Sequence, residues 1–213
     1  MNTWSEWETG KQLETAAESL RGNGFTVELC VDRPAAAARV MAAAAPAVTV
    51  GFGGSVSVVE LDLPRQMADA GKECLIHGAP DLTPEQRLEI MRRQLTCDLF
   101  LTGTNAVTLD GKLVNIDATG NRVGAMSFGP GKVVVVAGAN KLAKDAEAAV
   151  ARVRSWVAPP NARRLGMNTP CATTGFCADC DSPQRICRIV HVMEKKPRLT
   201  DVTVLLVGEA LGL

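Results

Sequence analysis

The sequence predicts an α/β fold, a largely parallel sheet flanked by helices. Three observations predict it. Short runs of β-branched and aliphatic residues alternate with stretches of helical periodicity along most of the chain. Several of these runs empty into glycine-rich or small polar turns, as strands do at the ligand-binding edge of an open parallel sheet. Val133–Val136 is a continuous β-branched run, the pattern of a strand covered on both faces.

Taken in order, Leu13, Ala16, Ala17 and Leu20 fall at helical spacing in a first helix from Trp4 to Leu20, which Gly22 and Gly24 end. Phe25–Val31 is β-like, and Pro34 opens an alanine-rich helix that stops before Pro46. Val48–Val50 reads as a short strand, followed by Gly51-Phe52-Gly53-Gly54-Ser55 and a helix. Cys74–Ile76 is a strand. Thr83, Pro84 and Gln86 then supply the cap, the first-turn proline and the third-position glutamine of a helix reaching about Thr96. Asp98–Thr102 is a strand ending in Gly103-Thr104-Asn105, and Asp110-Gly111 is a hairpin turn between Ala106–Leu109 and Lys112–Ile116. Val133–Val136 leads into Gly138-Ala139-Asn140-Lys141, then a helix from about Leu142 to Val157 that closes at Pro159-Pro160. Asp201–Val207 is the last strand. Residues 161–199 hold four of the seven cysteines and little periodicity. The expectation is one domain over 1–213, with 161–199 as a cysteine-rich insertion before the last strand.

Composition narrows the function. The 213 residues suffice for one substantial core, and 23 basic residues balance 23 acidic ones, which excludes disorder and a generally basic nucleic-acid binder. Aromatics are 4% with no tyrosine, so base-stacking surfaces have little material. No apolar run approaches the ~18–20 residues of a bilayer span, and the N-terminus lacks a signal-peptide pattern, so a cytoplasmic protein is expected. An odd number of scattered cysteines argues for thiol, metal or redox chemistry over a secreted disulfide framework.

Two phosphate motifs fail on inspection. Gly51-Phe52-Gly53 has Val56 where the dinucleotide fingerprint needs its third glycine, and Gly129-Pro130-Gly131-Lys132 is followed by Val133 where a P-loop needs Ser or Thr. The run Asn115–Arg122 sets amide, carboxylate and guanidinium groups side by side, either as a ligand site or as a solvated turn. His77 follows a strand and could act as a loop acid or base, whereas His191 reads as a satisfied, half-buried residue. Cys171, Cys177, Cys180 and Cys187 carry the sharpest signal: C-x5-C-x2-C-x6-C concentrates four soft ligands within seventeen residues, with Gly175, Pro170 and Pro183 allowing tight turns. Zinc or an iron–sulfur cluster, a Cys177/Cys180 dithiol, and four unrelated thiols are the open readings.

Together, Gly51–Ser55, Asp98–Val107, Asp110-Gly111 with Leu113–Asp117, Gly120-Asn121-Arg122, Asn140-Lys141 and Asn161–Leu165 closely resemble the LUD-domain (lactate-utilisation) family, in the branch carrying a C-terminal four-cysteine segment. The resemblance implies the fold of sugar-phosphate isomerases, glucosamine-phosphate deaminases and CoA transferases, with one cleft built by loops after parallel strands. On that analogy Gly53, Gly54, Ser55, Gly103, Thr104, Asn105, Asn115 and Asn121 bind ligand, while Asp117 and Lys141 are the catalytic candidates. The function expected first is a LUD-type protein of cytoplasmic organic-acid oxidation, binding an anionic metabolite or cofactor and carrying an Fe–S cluster or Zn at the four cysteines. A stand-alone isomerase or CoA transferase, with Asp117 or Glu60 as base or nucleophile, and a ligand sensor are the alternatives. With no NAD or flavin fingerprint, an oxidative role needs a redox partner subunit, for which Arg163, Arg164, Arg185 and Arg188 offer a basic face. No nucleic acid and no membrane are expected as partners.

Overall fold

The computed structural model describes residues 3–213. Six strands form a parallel sheet, whose order across the sheet is β1 (Thr26–Cys30), β10 (Asp201–Val207), β7 (Lys132–Gly138), β4 (Leu99–Gly103), β2 (Thr49–Phe52) and β3 (Glu73–Leu75). Successive side chains on a strand point to opposite faces, so one β-branched run feeds two cores. Val133, Val135 and Ala137 of β7 pack with Leu13, Ala16, Ala17 and Leu20 of helix α1 (Thr3–Gly22). Val134 and Val136 pack on the other face with Ala36, Val40 and Ala44 of α2 (Arg33–Ala44), Val58 of α3 (Val56–Glu60), and Leu63 and Met67 of α4 (Leu63–Asp69). Helix α5 (Pro84–Gln94) begins at Thr83 with both halves of the capping box formed.

A second sheet of four strands departs from the parallel plan. Its order is β8 (Leu142–Ala143), β5 (Ala106–Thr108), β6 (Leu113–Asp117), β9 (Ile189–Met193), with the β5–β6 and β6–β9 pairs antiparallel. Asn115 and Asp117 therefore belong to an antiparallel strand, and helix α6 (Asn121–Ser127) follows it. The β9 strand arises inside the segment read as lacking periodicity; its register, Asp117 opposite Ile189 and Asn115 opposite His191, joins the cysteine-rich segment to the polar run.

One predicted helix is corrected. In place of a helix from Leu142 to Val157, β8 is followed by α7 (Ala146–Arg152), capped by Asp145, then a π-helical turn over Val153–Val157 and α8 (Ala158–Arg164). Pro159 and Pro160 sit inside the first turn of α8 rather than ending the helical run. Lacking N–H groups, they cannot continue an α ladder, and the turn before them widens so that the Ala158 N–H bonds to the Val153 carbonyl. A short helix α9 (Pro170–Thr174) follows. No helix among the described residues is long and apolar enough to cross a membrane.

Candidate functional site

The parallel sheet sets the carboxyl ends of β2, β4 and β7 side by side, and three loops leave from that edge. Gly53-Gly54-Ser55 turns into α3, whose first turn Ser55 caps through Oγ. Gly103-Thr104-Asn105 leads from β4 into β5. The two loops lie so close that a Cβ on Gly103 would stand 2.5 Å from Ser55 Oγ, and one on Gly53 would stand 2.7 Å from Thr102 Oγ1. Glycine is what lets them approach. After β7, Ala139–Lys141 form a 3-10 turn.

The second sheet reaches the same edge through paired asparagines. The Asn105 N–H donates to Asn115 Oδ1 at 3.1 Å, and the Ile116 N–H donates to Asn105 Oδ1 at 2.9 Å. Arg122 donates to Asn105 Oδ1 and to the Ile116 carbonyl, both at 3.0 Å, and pairs with Asp117, its Nε lying 2.8 Å from Oδ1. The second oxygen of Asp117 accepts the Val123 N–H. From the end of α7, Arg152 donates to the Asn105 carbonyl at 2.9 Å and twice to the Asn140 carbonyl, at 3.1 and 2.7 Å. Lys141 is 4% exposed. Burial first, then the nearby Arg152 and Arg122 guanidinium groups, push its ammonium down to about 8, against an opposing pull from Glu60.

Residues 211–213 lie against this edge of the sheet. Asn140 grips them at two points, Oδ1 accepting the Leu211 N–H at 3.0 Å and Nδ2 donating to the Gly212 carbonyl at 3.1 Å. Glu60 accepts the Gly212 N–H at 2.9 Å, and Lys141 Nζ donates to the Leu213 carbonyl at 2.8 Å. At the far end of the same edge, His77 stands beside Gly54 and 3.0 Å from Gln94 Nε2, with burial holding its imidazole below the ordinary range. Gln94 is wholly buried and also donates to the Phe52 and Leu75 carbonyls, tying the ends of β2 and β3 together.

The four cysteines of the 161–199 segment are free thiols that line one cavity of about 20 Å3 together with Arg154, Thr169 and Arg185. Arg185 organises the loop from within: its guanidinium donates to the Cys187 and Cys180 carbonyls at 2.8 and 2.7 Å and to Asp179, whose backbone is left-handed (φ 44°). Thr169 Oγ1 lies 3.3 Å from Cys171 Sγ. Burial, then the neighbouring Cys177 thiol, pushes the Cys187 thiol up. The soft donor set fits a thiophilic metal or cluster. As the side chains stand, no three His, Cys, Asp or Glu among the described residues form a group that could hold a metal ion. The π turn carries Arg154 to this cavity two residues after Arg152, which holds the Asn105 and Asn140 carbonyls.

The LUD domain matches residues 13–207. The chain belongs to the LUD-domain family. Among solved structures, a DUF162 family protein from Deinococcus radiodurans superposes with a TM-score of 0.51 at 13% identity, covering 93% of this chain and 98% of that one, which supports the fold alone. No curated protein matches the chain.

Within this LUD domain the predicted cleft residues divide by what their polar atoms do. Gly53, Gly54, Ser55, Asn105 and Lys141 lie on the loops after β2, β4 and β7, and Gly103 ends β4. Thr104 and Asn115 are fully buried; the Thr104 hydroxyl donates to the Ala106 and Val114 carbonyls, so both are internal braces of the loops. Asn121 opens α6, and Asp117 is the ion-pair partner of Arg122. Of the four arginines read as a docking face, Arg185 and Arg188 are bonded into their own loop and Arg164 to Asn161. Sequence reasoning missed Arg152, Arg154 and the 211–213 segment. No local pattern marks them: two are ordinary basic residues of a helical run, and the third is a Leu-Gly-Leu without a motif.

Proposed function

We propose that this LUD-domain protein serves cytoplasmic organic-acid (lactate-like) oxidation, taking an anionic metabolite or cofactor into the cleft after β2, β4 and β7. The observation that carries the reading is the gathering of Lys141, Arg152 and Arg122 within electrostatic reach of one another beside backbone-lined loops. Three cations against the two carboxylates of Asp117 and Glu60 leave a net positive charge, which favours an anion. Lys141 binds as an ammonium, so affinity for an anion falls as pH rises through about 8.

Titration calorimetry with lactate and other short 2-hydroxy and 2-oxo acids tests this. At pH 7, Lys141→Ala is expected to remove one charge-assisted hydrogen bond, about 1.5–3 kcal/mol, or roughly 10- to 150-fold in affinity. An unchanged affinity in the variant, or no binding by any acid in the intact protein, would overturn the reading. One observation favours a second reading, a stand-alone enzyme of the sugar-phosphate isomerase or CoA-transferase type: Glu60 and Lys141 bond to adjacent residues, Gly212 and Leu213, as a base and an electrophile would flank a substrate. Turnover of sugar phosphates or acyl-CoA would select it.

The cysteine cavity extends the proposal to a metal or Fe–S centre at Cys171, Cys177, Cys180 and Cys187, and to a redox protein that docks beside it. Arg163 is exposed on α8, Trp156 on the π turn and Phe176 beside Cys177, while Arg188 is exposed but bonded to the Arg185 and Pro183 carbonyls of its own loop. Recovery of a redox protein by co-purification at low ionic strength, weakening with salt, is the expected result.

A further inference from the structure

We infer that the outer edge of β9 is the seam of a homodimer, in which a second copy of this chain pairs antiparallel about His191 and continues the four-stranded sheet across a two-fold axis. The inference rests on neither the anion site nor the metal centre. β9 ends its sheet, with β6 on one side and no strand on the other. On β6, the Val114 carbonyl and both backbone polar groups of Ile116 face Thr104, Asn105 and Arg122, on the side away from β9. Leu113, Asn115 and Asp117 therefore turn theirs to Met193, His191 and Ile189. That alternation points the N–H and carbonyl groups of Val190 and Val192 outward, where nothing outside the sheet bonds to them among the described residues. The two valines are 49% and 36% exposed. A free edge is a template for another strand, which proteins blunt with a proline, a bulge or a lysine, and Ile189–Met193 carries none of these. An open groove of about 650 Å3 runs beside it, lined by Val150 and Ala151 of α7, Arg154, Cys177 and Val192. A strand added to the edge sets alternate side chains on the face that Val192 shares with this groove.

Charge selects a second copy as the occupant. Two identical edges close by a two-fold axis when they run antiparallel. The register centred on His191 is the one that uses both valines of both copies, Val190 exchanging its backbone bonds with Val192 of the partner subunit. The same register sets Arg188 opposite Glu194 of the partner subunit at each end of the seam. Arg188 has no carboxylate partner among the described residues, its guanidinium donating to the Arg185 and Pro183 carbonyls. Glu194 is 74% exposed at its side chain, with Lys112 3.9 Å away. Opposite charges facing each other across paired strands stabilise the pairing, and like charges oppose it.

Sedimentation of the full chain, together with amide exchange at Val190 and Val192, tests the seam. The protein is expected to sediment as two chains, and those two amides to exchange faster as dilution releases the monomer. Arg188→Glu and Glu194→Arg each set like charges at both ends of the seam and are expected to weaken the dimer by about tenfold or more. Mixed in equal amounts, the two variants face opposite charges again and re-form a dimer. Circular dichroism checks that each variant is folded. Val190→Pro, which removes an outward N–H and leaves the β6 ladder whole, is expected to give monomer without touching Arg188 or its loop. A wild-type chain that sediments as one copy at every concentration overturns the inference. A dimer that survives all three substitutions, with Val190 and Val192 exchanging freely, places the contact elsewhere and overturns the seam. Two monomeric charge variants that fail to pair on mixing overturn the register centred on His191.

Discussion

Lys141 holds an ammonium in a site that is 4% exposed, and the consequence is a pH dependence of stability with a definite sign. Below about pH 8 the folded and the unfolded chain both carry the Lys141 proton, and between about 8 and 10.5 only the unfolded chain does. Stability therefore rises with pH across that window, by up to ~3 kcal/mol from this residue. Lys141→Met is expected to remove the rise while leaving the rest of the pH profile intact. Urea denaturation of both proteins from pH 7.5 to 10.5 measures the difference, and parallel curves would contradict it. The Asp117–Arg122 pair is the other ionic feature near Lys141, with side chains 8% and 14% exposed. Asp117→Ala strands the guanidinium beside Asn105 and frees the Val123 N–H at the start of α6. A loss of about 3 kcal/mol is expected on breaking a buried pair from one side. A loss below about 1 kcal/mol would mean that solvent screens the pair as it does at a surface.

Among the elements, the close seating of the loops after β2 and β4 is the feature most open to a single-atom test. Gly103→Ala places a methyl 2.5 Å from Ser55 Oγ and 3.3 Å from the Val136 carbonyl. Ser55 would have to leave its cap on α3, so a loss of about 1–3 kcal/mol and a lower melting temperature are expected. Calorimetric melting of the variant checks it. This loop was legible in the sequence because a glycine after an apolar strand is a local signal, as was the capping box at Thr83 and Gln86. The parallel strands were legible for a related reason: strands buried on both faces, such as β7 and β10, must be apolar at successive positions. The second sheet was not. Its β9 strand, Ile189–Met193, is mostly exposed, and its pairing with β6 is fixed by a partner some seventy residues earlier rather than by its own alternation. The π turn was hidden too, because two prolines read equally well as a helix end and as the first turn of another helix. The site was legible as a set of loops but not as a network, since Arg152 reaches Asn105 and Asn140 only through the fold.

At the scale of the whole molecule, the polar strand β6 and the cysteine segment are joined. The Arg188 N–H bonds to the Asp117 carbonyl, and Cys187 and Leu213 pack together on Ile116, Val153 and Val157. A metal centre at the cysteines would thus brace β6 and β9 as well as its own loop. Its removal by a chelator is expected to lower the melting temperature and to speed amide exchange along the Asp117–Ile189 ladder. If the centre binds at a hundredfold above its dissociation constant, the stabilisation lost is about 2.7 kcal/mol. Unchanged exchange along that ladder would show the two regions to be independent. The segment over the cleft has an effect of another kind. On the anion-binding reading proposed above, residues 211–213, held by Asn140, Glu60 and Lys141, stand as a tethered competitor whose local concentration never dilutes away. A metabolite that needs Lys141 and Glu60 meets them already engaged, so its apparent dissociation constant is the intrinsic one divided by the fraction of molecules whose cleft stands open. Were that fraction about one in a hundred, a micromolar site would titrate as a roughly hundred-micromolar one, and Asn140→Ala, which frees Leu211 and Gly212, would return part of the difference.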